Sequence, residues 1–280
     1  MAATFAKTGL AACVHLGRGV SIIELALPNA AKAAKPGHLI SLQRLNPAGE
    51  ATSACVVLPV FGVSPVAGAR AEKLQVLVPR KHADLIAPLW PGQDVQFGAF
   101  ALSGQAWDLD FAGFDALLLV GENESAAHLV MLAQHLASGK AHELTLLAGA
   151  ETREAMPWFK LLSFLSDAGV SLMPAAPDGS FGHRGEVFDP LVSELEAGLA
   201  RDKRIGVIAA GSLAFVHRAA ELARDRGTLC YVLPTDRFGC GKGLCGSCEL
   251  PTQDGGALRV CSSLALVSAQ EVDWPKFSLS

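Results

Sequence analysis

Near residue 111 the apolar pattern of this 280-residue chain changes period, and that change constrains the fold more than any other feature. From about Val14 to Phe111 short β-rich runs alternate with turns: Ser21 to Leu27, Leu39 to Leu42, Ala54 to Val60, Leu74 to Val78 and Val95 to Phe97. Turn pairs such as Pro36-Gly37, Asn46-Pro47 and Pro91-Gly92 separate them, as in a small antiparallel β-barrel. From Ala116 onward buried-strand runs alternate with helical stretches. The strands are Leu117–Val120, Leu144–Leu147, Val170–Met173, Arg204–Ala209 and Leu229–Leu233. The expected helices are Ala126–Leu136, Trp158–Ala168, Val187–Leu199 and Leu213–Arg226. Alternation of this kind predicts a parallel, doubly wound α/β sheet. The fold class is therefore an all-β barrel over 1–110, a doubly wound α/β domain over 111–233 and a small C-terminal domain over 234–280.

The C-terminal part carries four cysteines in a telling pattern: Cys240, Cys245, Cys248 and Cys261. The first three follow the four-then-two gap of a plant-type [2Fe–2S] site. Glycines at 239, 241, 243 and 246 allow the backbone to wrap tightly around a cluster. Asp254-Gly255-Gly256 predicts a hairpin-like turn that folds Cys261 back as the fourth ligand. A zinc site is the first alternative, but structural zinc favours two Cys-x-x-Cys pairs or added histidine, and only Cys245 and Cys248 form such a pair here. A metal-free thiol loop is the second. The remaining cysteines, Cys13, Cys55 and Cys230, lie in apolar stretches and read as small buried hydrophobes.

Half of the residues are hydrophobic, 18% are charged and the net charge is −4, which gives no electrostatic case for nucleic acid. The positive mean hydropathy, without a membrane span, suggests apolar surface buried against partner subunits and hence a hetero-oligomer. No secretory pattern opens the chain, and iron–sulfur ligation needs reduced thiols, so the expected compartment is the cytoplasm.

The order barrel, α/β domain, ferredoxin-like loop resembles the electron-transfer subunits of two-subunit dihydroorotate dehydrogenases, within the ferredoxin–NADP reductase superfamily. The resemblance is strongest at Gly206 to Cys261 and at Asp178-Gly179-Ser180-Phe181-Gly182-His183-Arg184-Gly185. It implies a [2Fe–2S] relay working with a flavin-containing dehydrogenase subunit, and a body built for FAD and NAD(P). The family binds FAD through an Arg-Pro-x-Ser/Thr strand and a later glycine-rich turn. Here those places read Ser53-Ala54-Cys55-Val56-Val57-Leu58-Pro59 and Val78-Pro79-Arg80-Lys81-His82-Ala83-Asp84. Arg80 and Lys81 can replace phosphate contacts by charge, or simply form a solvated loop end. The family's glycine-rich turn toward NAD(P) reads Gly121-Glu122-Asn123-Glu124-Ser125, with two carboxylates where a pyrophosphate would lie, and its Cys-Gly-Pro segment reads Ala210-Gly211-Ser212. Carboxylates in a first helical turn suit the dipole and repel a phosphate, so the turn reads as capped.

Among the histidines, His128 and His135 fall seven apart on one predicted helix face without a carboxylate or cysteine to complete a metal set, which predicts a surface or core-edge role. His183 sits in the glycine-rich segment, and His38 opens a barrel strand with no visible partner. No hydrolase elbow, phosphate loop or zinc-protease helix occurs. Arg237 and Lys242 flank the first ligand and read either as tuning charges or as a docking patch. Three functions compete: a cluster-bearing electron-transfer subunit on a reductase scaffold, a working FAD-containing NAD(P)H-linked reductase, and a redox-sensing module.

Overall fold

The computed structural model describes residues 5–17, 20–46, 48–53, 55–65, 72–86, 96–100, 102, 111–139, 142–156, 159, 162–237, 245–260 and 266–277. Six strands, β1 (Phe5–Gly17), β2 (Val20–Leu25), β3 (Leu39–Leu45), β4 (Val56–Pro65), β5 (Glu72–Val78) and β6 (Gln96–Phe100), close a barrel in the order β1-β2-β5-β4-β3-β6. All its pairings are antiparallel, so no edge is left open. A short helix, α1 (Pro28–Ala33), starts on a proline whose fixed φ suits a first turn.

The barrel begins earlier than the sequence pattern predicts. β1 spans thirteen residues, yet Gly9 and its alanines blur the alternation, and irregularities at Leu10/Ala12 and His15/Gly17 break the two-residue period. β2 shows the opposite effect, because it is apolar on both faces. Ile23 and Leu25 point into the barrel core with Ile40, Leu58, Val76 and Phe97. Val20 and Ile22 point outward into the same cluster as Leu129 and Leu132 of the second domain. The barrel wall is thus sealed here against a helix rather than against water, which is why this strand carries apolar residues on both faces.

The second half forms a sheet in the order β10-β9-β8-β7-β11-β12-β15. Its strands are β7 (Ala116–Glu122), β8 (Glu143–Gly149), β9 (Val170–Ala176), β10 (His183–Arg184), β11 (Ile205–Gly211), β12 (Leu229–Pro234) and the antiparallel edge β15 (Val267–Ser268). The pairings from β10 to β12 are parallel, as the alternation predicts. Helices α2 (Ala127–Gly139), α3 (Ser163–Asp167), α4 (Phe188–Leu199) and α5 (Leu213–Arg224) cover the two faces. Within β7, Leu117 and Leu119 enter the cluster beneath α2 and α3, while Leu118 and Val120 enter the one beneath α4 and α5. The helix expected over 158–168 is confined to Ser163–Asp167, and Trp158 lies outside the described residues. Gly169, at φ +88°, ends the segment by donating its amide to the Ser166 carbonyl.

The C-terminal segment holds the hairpin β13 (Glu249–Pro251) and β14 (Ala257–Arg259). Its apolar residues share a core with the α/β sheet: Cys248, Leu250, Val260 and Val272 are buried with Val216 and Val232. Trp274 stacks on His217 of α5 at 4.5 Å and donates its indole N–H to the Ala269 carbonyl at 2.9 Å.

Candidate functional site

Cys245 and Cys248 stand on one turn, and they differ sharply in environment. Cys245 is exposed, whereas Cys248 is buried at the top of the shared core. Gly246 between them has φ +71°, a left-handed conformation that an L side chain resists. The Ser247 hydroxyl lies 2.9 Å from Cys245 Sγ. The predicted turn at Asp254-Gly255-Gly256 is present, with Gly255 at φ +86° donating its amide to the Thr252 carbonyl. Asp254 Oδ1 accepts from the Thr252 hydroxyl at 2.5 Å and the Gly256 amide at 3.0 Å, and these bonds hold its carboxyl below the usual range.

The hairpin then returns the chain to the cysteine turn. Glu249 pairs with Arg259 across the strands, with a 2.8 Å ion pair at the base, and the Val260 amide donates to the Cys248 carbonyl at 3.2 Å. Val260 is the residue before Cys261. Cys240, Cys261 and Lys242 lie outside the described residues. Among the described residues no group of three or more His, Cys, Asp or Glu side chains converges as a metal site. The two described thiols fit a cluster in kind: they are soft donors on a glycine-bearing turn, not tied up in disulfides. Arg237, read as a tuning or docking charge, places its guanidinium over the Phe277 ring at 5.4 Å.

The other cysteines divide. Cys230 is buried as expected, and desolvation pushes its thiol up to about 12, leaving it inert. Cys13 and Cys55 are only half-buried, a correction to the expectation of buried hydrophobes. Cys13 packs against the barrel core on the same side as its cross-strand partner Ile23, with its sulfur 3.7 Å from His15 Nε2, and Cys55 lines a crevice between barrel and sheet.

That crevice brings together residues of Ser53–Pro59 and Val78–Asp84, the two segments read in place of the FAD motifs. It is bounded by Cys55, Val56 and Val57 on the barrel side, Lys81 and His82 on the loop after β5, and Ser125 and His128 at the start of α2. Its volume is about 150 Å³, below the roughly 300–1,000 Å³ usual for a cofactor pocket. β4 contributes only apolar side chains to it, and the polar groups of its lining are Lys81, His82, Glu124, Ser125, His128 and Thr235. Arg80 and Lys81 open a short 3₁₀ turn, with both side chains exposed and the Arg80 amide 3.4 Å from Glu124 Oε1. His128 is buried against this crevice while His135 is exposed, so only the core-edge half of the histidine expectation applies to a buried side chain.

At the sheet edge above the crevice, Gly121 is required by close approach: a Cβ there would stand 2.5 Å from the Ala126 Cα. Asn123 follows in the left-handed region at φ 47°. Asn123→Ala is expected to cost about 1 kcal/mol and Asn123→Gly almost nothing, read as the difference in urea midpoint at constant slope. Glu122 Oε1 accepts the Ser212 amide at 2.5 Å, and Asp236 accepts the Leu213 amide at 3.1 Å through either oxygen. Sequence reasoning found Glu122 but missed Asp236. The available signal was topological, since residues following parallel strands gather at one sheet edge.

The Asp178–Gly185 segment is an edge turn. Gly179, Gly182 and Gly185 all have positive φ, and a Cβ on Gly182 would be driven into the Pro174 carbonyl. Asp178 Oδ1 accepts the Ser180 amide, and His183 lies 3.5 Å from Asp189.

A six-stranded antiparallel barrel joined to a parallel sheet with this strand order defines the ferredoxin–NADP reductase class of fold. The solved structure of an NADH-dependent reduced ferredoxin–NADP oxidoreductase, studied for flavin-based electron bifurcation, superposes over 100% of this chain and 94% of its own at a TM-score of 0.76 and 21% identity. The ferredoxin–NADP+ reductase of Neisseria gonorrhoeae with bound FAD and NADP covers 80% of this chain and 92% of its own at a TM-score of 0.56 and 12% identity. In sequence, the chain is similar to the probable electron transfer subunit of dihydroorotate dehydrogenase B (NAD(+)) of Methanopyrus kandleri, at 29% identity over 160 residues. The match spans 57% of this chain and little more than half, 56%, of that relative. The resemblance read from the motifs therefore holds. No family model matches the chain. Among the described residues no helix is long and apolar enough to cross a membrane.

Proposed function

We propose that this chain is an iron–sulfur electron-transfer subunit, holding a [2Fe–2S] cluster on Cys240, Cys245, Cys248 and Cys261 and relaying single electrons between a partner dehydrogenase and a further donor or acceptor. The observation that carries it is the hairpin: β13 and β14 bring Val260, next to Cys261, into hydrogen-bonding contact with Cys248, across eleven intervening residues of sequence. A fourth ligand so far along the chain is useful only if such a return is built. The similarity to a dihydroorotate dehydrogenase B electron transfer subunit points the same way.

The cluster would supply one-electron chemistry; the chain supplies the holding. Burial of Cys248 in the sheet's core fixes one ligand position, the left-handed Gly246 turns the backbone around it, and the Ser247 hydroxyl stands ready to donate to the Cys245 thiolate. Residues 234–280 are the proposed cluster domain, carried by the barrel (1–110) and the sheet (111–233) as scaffold. Catalysis would belong to the partner in a cytoplasmic hetero-oligomer.

The test is composition. Protein purified without oxygen is expected to contain about two irons and two sulfides per chain, with the visible absorption of a [2Fe–2S] centre. Zinc in place of iron, or no metal, sinks the proposal. Flavin released on denaturation would add a reductase activity to the relay and call for a search for its hydride donor.

A further inference from the structure

In an open α/β sheet a ligand binds outside the carboxyl ends of the strands, where the strand order reverses. Here that point lies between β7 and β11, and the element facing it is the N-terminus of the twelve-residue helix α5. Free amides at such a terminus attract phosphate. In this chain three of the amides there are already engaged. The Ser212 amide donates to Glu122 at 2.5 Å, the Leu213 amide to Asp236 at 3.1 Å, and the Phe215 amide to the Ser212 hydroxyl at 3.3 Å.

The space is taken up as well as the donors. The Glu122 side chain lies over Gly211, where an added Cβ would stand 3.0 Å from its Cγ and 2.5 Å from the Phe215 ring. The Ser125 and Thr235 hydroxyls meet at 2.7 Å, and Thr235 donates to the Gly211 carbonyl at 3.1 Å, so the ends of β7, β11 and β12 are laced together. Glu124, on the same turn as Glu122, reaches the Arg80 amide of the barrel at 3.4 Å. A dinucleotide pyrophosphate entering here would meet three carboxylates and would have to displace two of them from backbone donors. Like charges at such separations oppose binding strongly in a partly buried site.

We infer that Glu122 and Asp236 are built-in anions that take the place of a dinucleotide phosphate at the switch point, so that the chain exchanges electrons without binding NADH or NADPH there. The two carboxylates reach α5 from strands on either side of it, which a chance cap would not require. Cluster content does not enter this inference, so its failure and the failure of the relay proposal are separable.

Calorimetric titration of the full chain with NADH, NADPH and inorganic pyrophosphate tests it, alongside two double variants. Glu122→Gln with Asp236→Asn removes charge and keeps shape; Glu122→Ala with Asp236→Ala removes both. The native chain is expected to bind none of the three at about 1 mM. Each folded double variant is expected to gain at least roughly tenfold in pyrophosphate affinity. The isosteric pair decides the matter if the alanine pair does not fold. Micromolar binding of NADH or NADPH to the native chain, displaced by pyrophosphate, overturns the inference. So does a folded isosteric variant that gains nothing.

Discussion

Cys245→Ser is expected to strip the chain of its iron and of its visible and low-temperature resonance signals while leaving the body folded. A serine alkoxide is a poor stand-in for a soft thiolate, and the proposed cluster would need all four thiolates. Cys245 is exposed and lies outside the apolar clusters, so its loss opens no cavity. The far-ultraviolet spectrum is expected to be retained, and the melting temperature to move by no more than about 4 °C, which for a chain of this size is roughly 1 kcal/mol. Cys248→Ser should lose the same iron and cost more. Its side chain is fully buried beside Leu250 and Val260, where a new hydroxyl has to be desolvated, at about 1–3 kcal/mol if no acceptor is within reach. The contrast separates ligation from packing. Unchanged iron in Cys245→Ser would refute the ligand assignment outright.

The two variants also show why the cysteine-bearing segment is better understood as a rider on the α/β sheet than as a free module. Leu250, Val260 and Val272 are buried in one cluster with residues of α5 and β12, and β15 adds a strand to that sheet. The proposed cluster would then be fixed relative to the sheet, and one-electron transfer to a partner would depend on where the whole body docks. Sequence gave the spacing of the cysteines but not this docking, because short apolar stretches such as Val267–Ser268 carry no period that distinguishes an edge strand from a loop.

Legibility elsewhere follows the same physics. The parallel strands β7, β8, β11 and β12 are plain in the sequence because strands buried largely on both faces are near-unbroken apolar runs. β1 was missed because irregular register and small residues erase its alternation, and α1 because six residues are too few to show a helical period. The turn at Asp254–Gly256 was legible from its residue types alone. At the switch point the sequence showed an anomaly, acidic residues where glycines were expected, but not its resolution. That Glu122 is satisfied by the Ser212 amide ninety residues later is a long-range fact, set by the pairing of β7 with β11.

His128 gives the second large effect, as a pH dependence of stability. It lies on α2 against the crevice beside the barrel, only 9% exposed, and desolvation, with a smaller contribution from the Lys81 charge, lowers its imidazole pKa to about 3 from an ordinary 6.5. In the unfolded chain the same ring takes up a proton as the pH falls through about 6.5. The unfolded state therefore binds more protons than the native state between those two values, and stability rises with pH across the window. The native chain keeps its full stability above about 6.5 and loses roughly 1.4 kcal/mol per pH unit below it from this group, or about 2 kcal/mol by pH 5. His82, which lines the same crevice and is also lowered, first by burial and then by Lys81, adds in the same direction, as any buried neutral imidazole would. His128→Gln keeps a polar side chain that does not titrate, so the difference in slope between the two proteins isolates the one group. Urea unfolding at several pH values from 5 to 7.5 should show the native chain losing about 2 kcal/mol more than the variant. Parallel curves would mean that His128 is protonated in the folded protein, and that the seal between barrel and helix admits water.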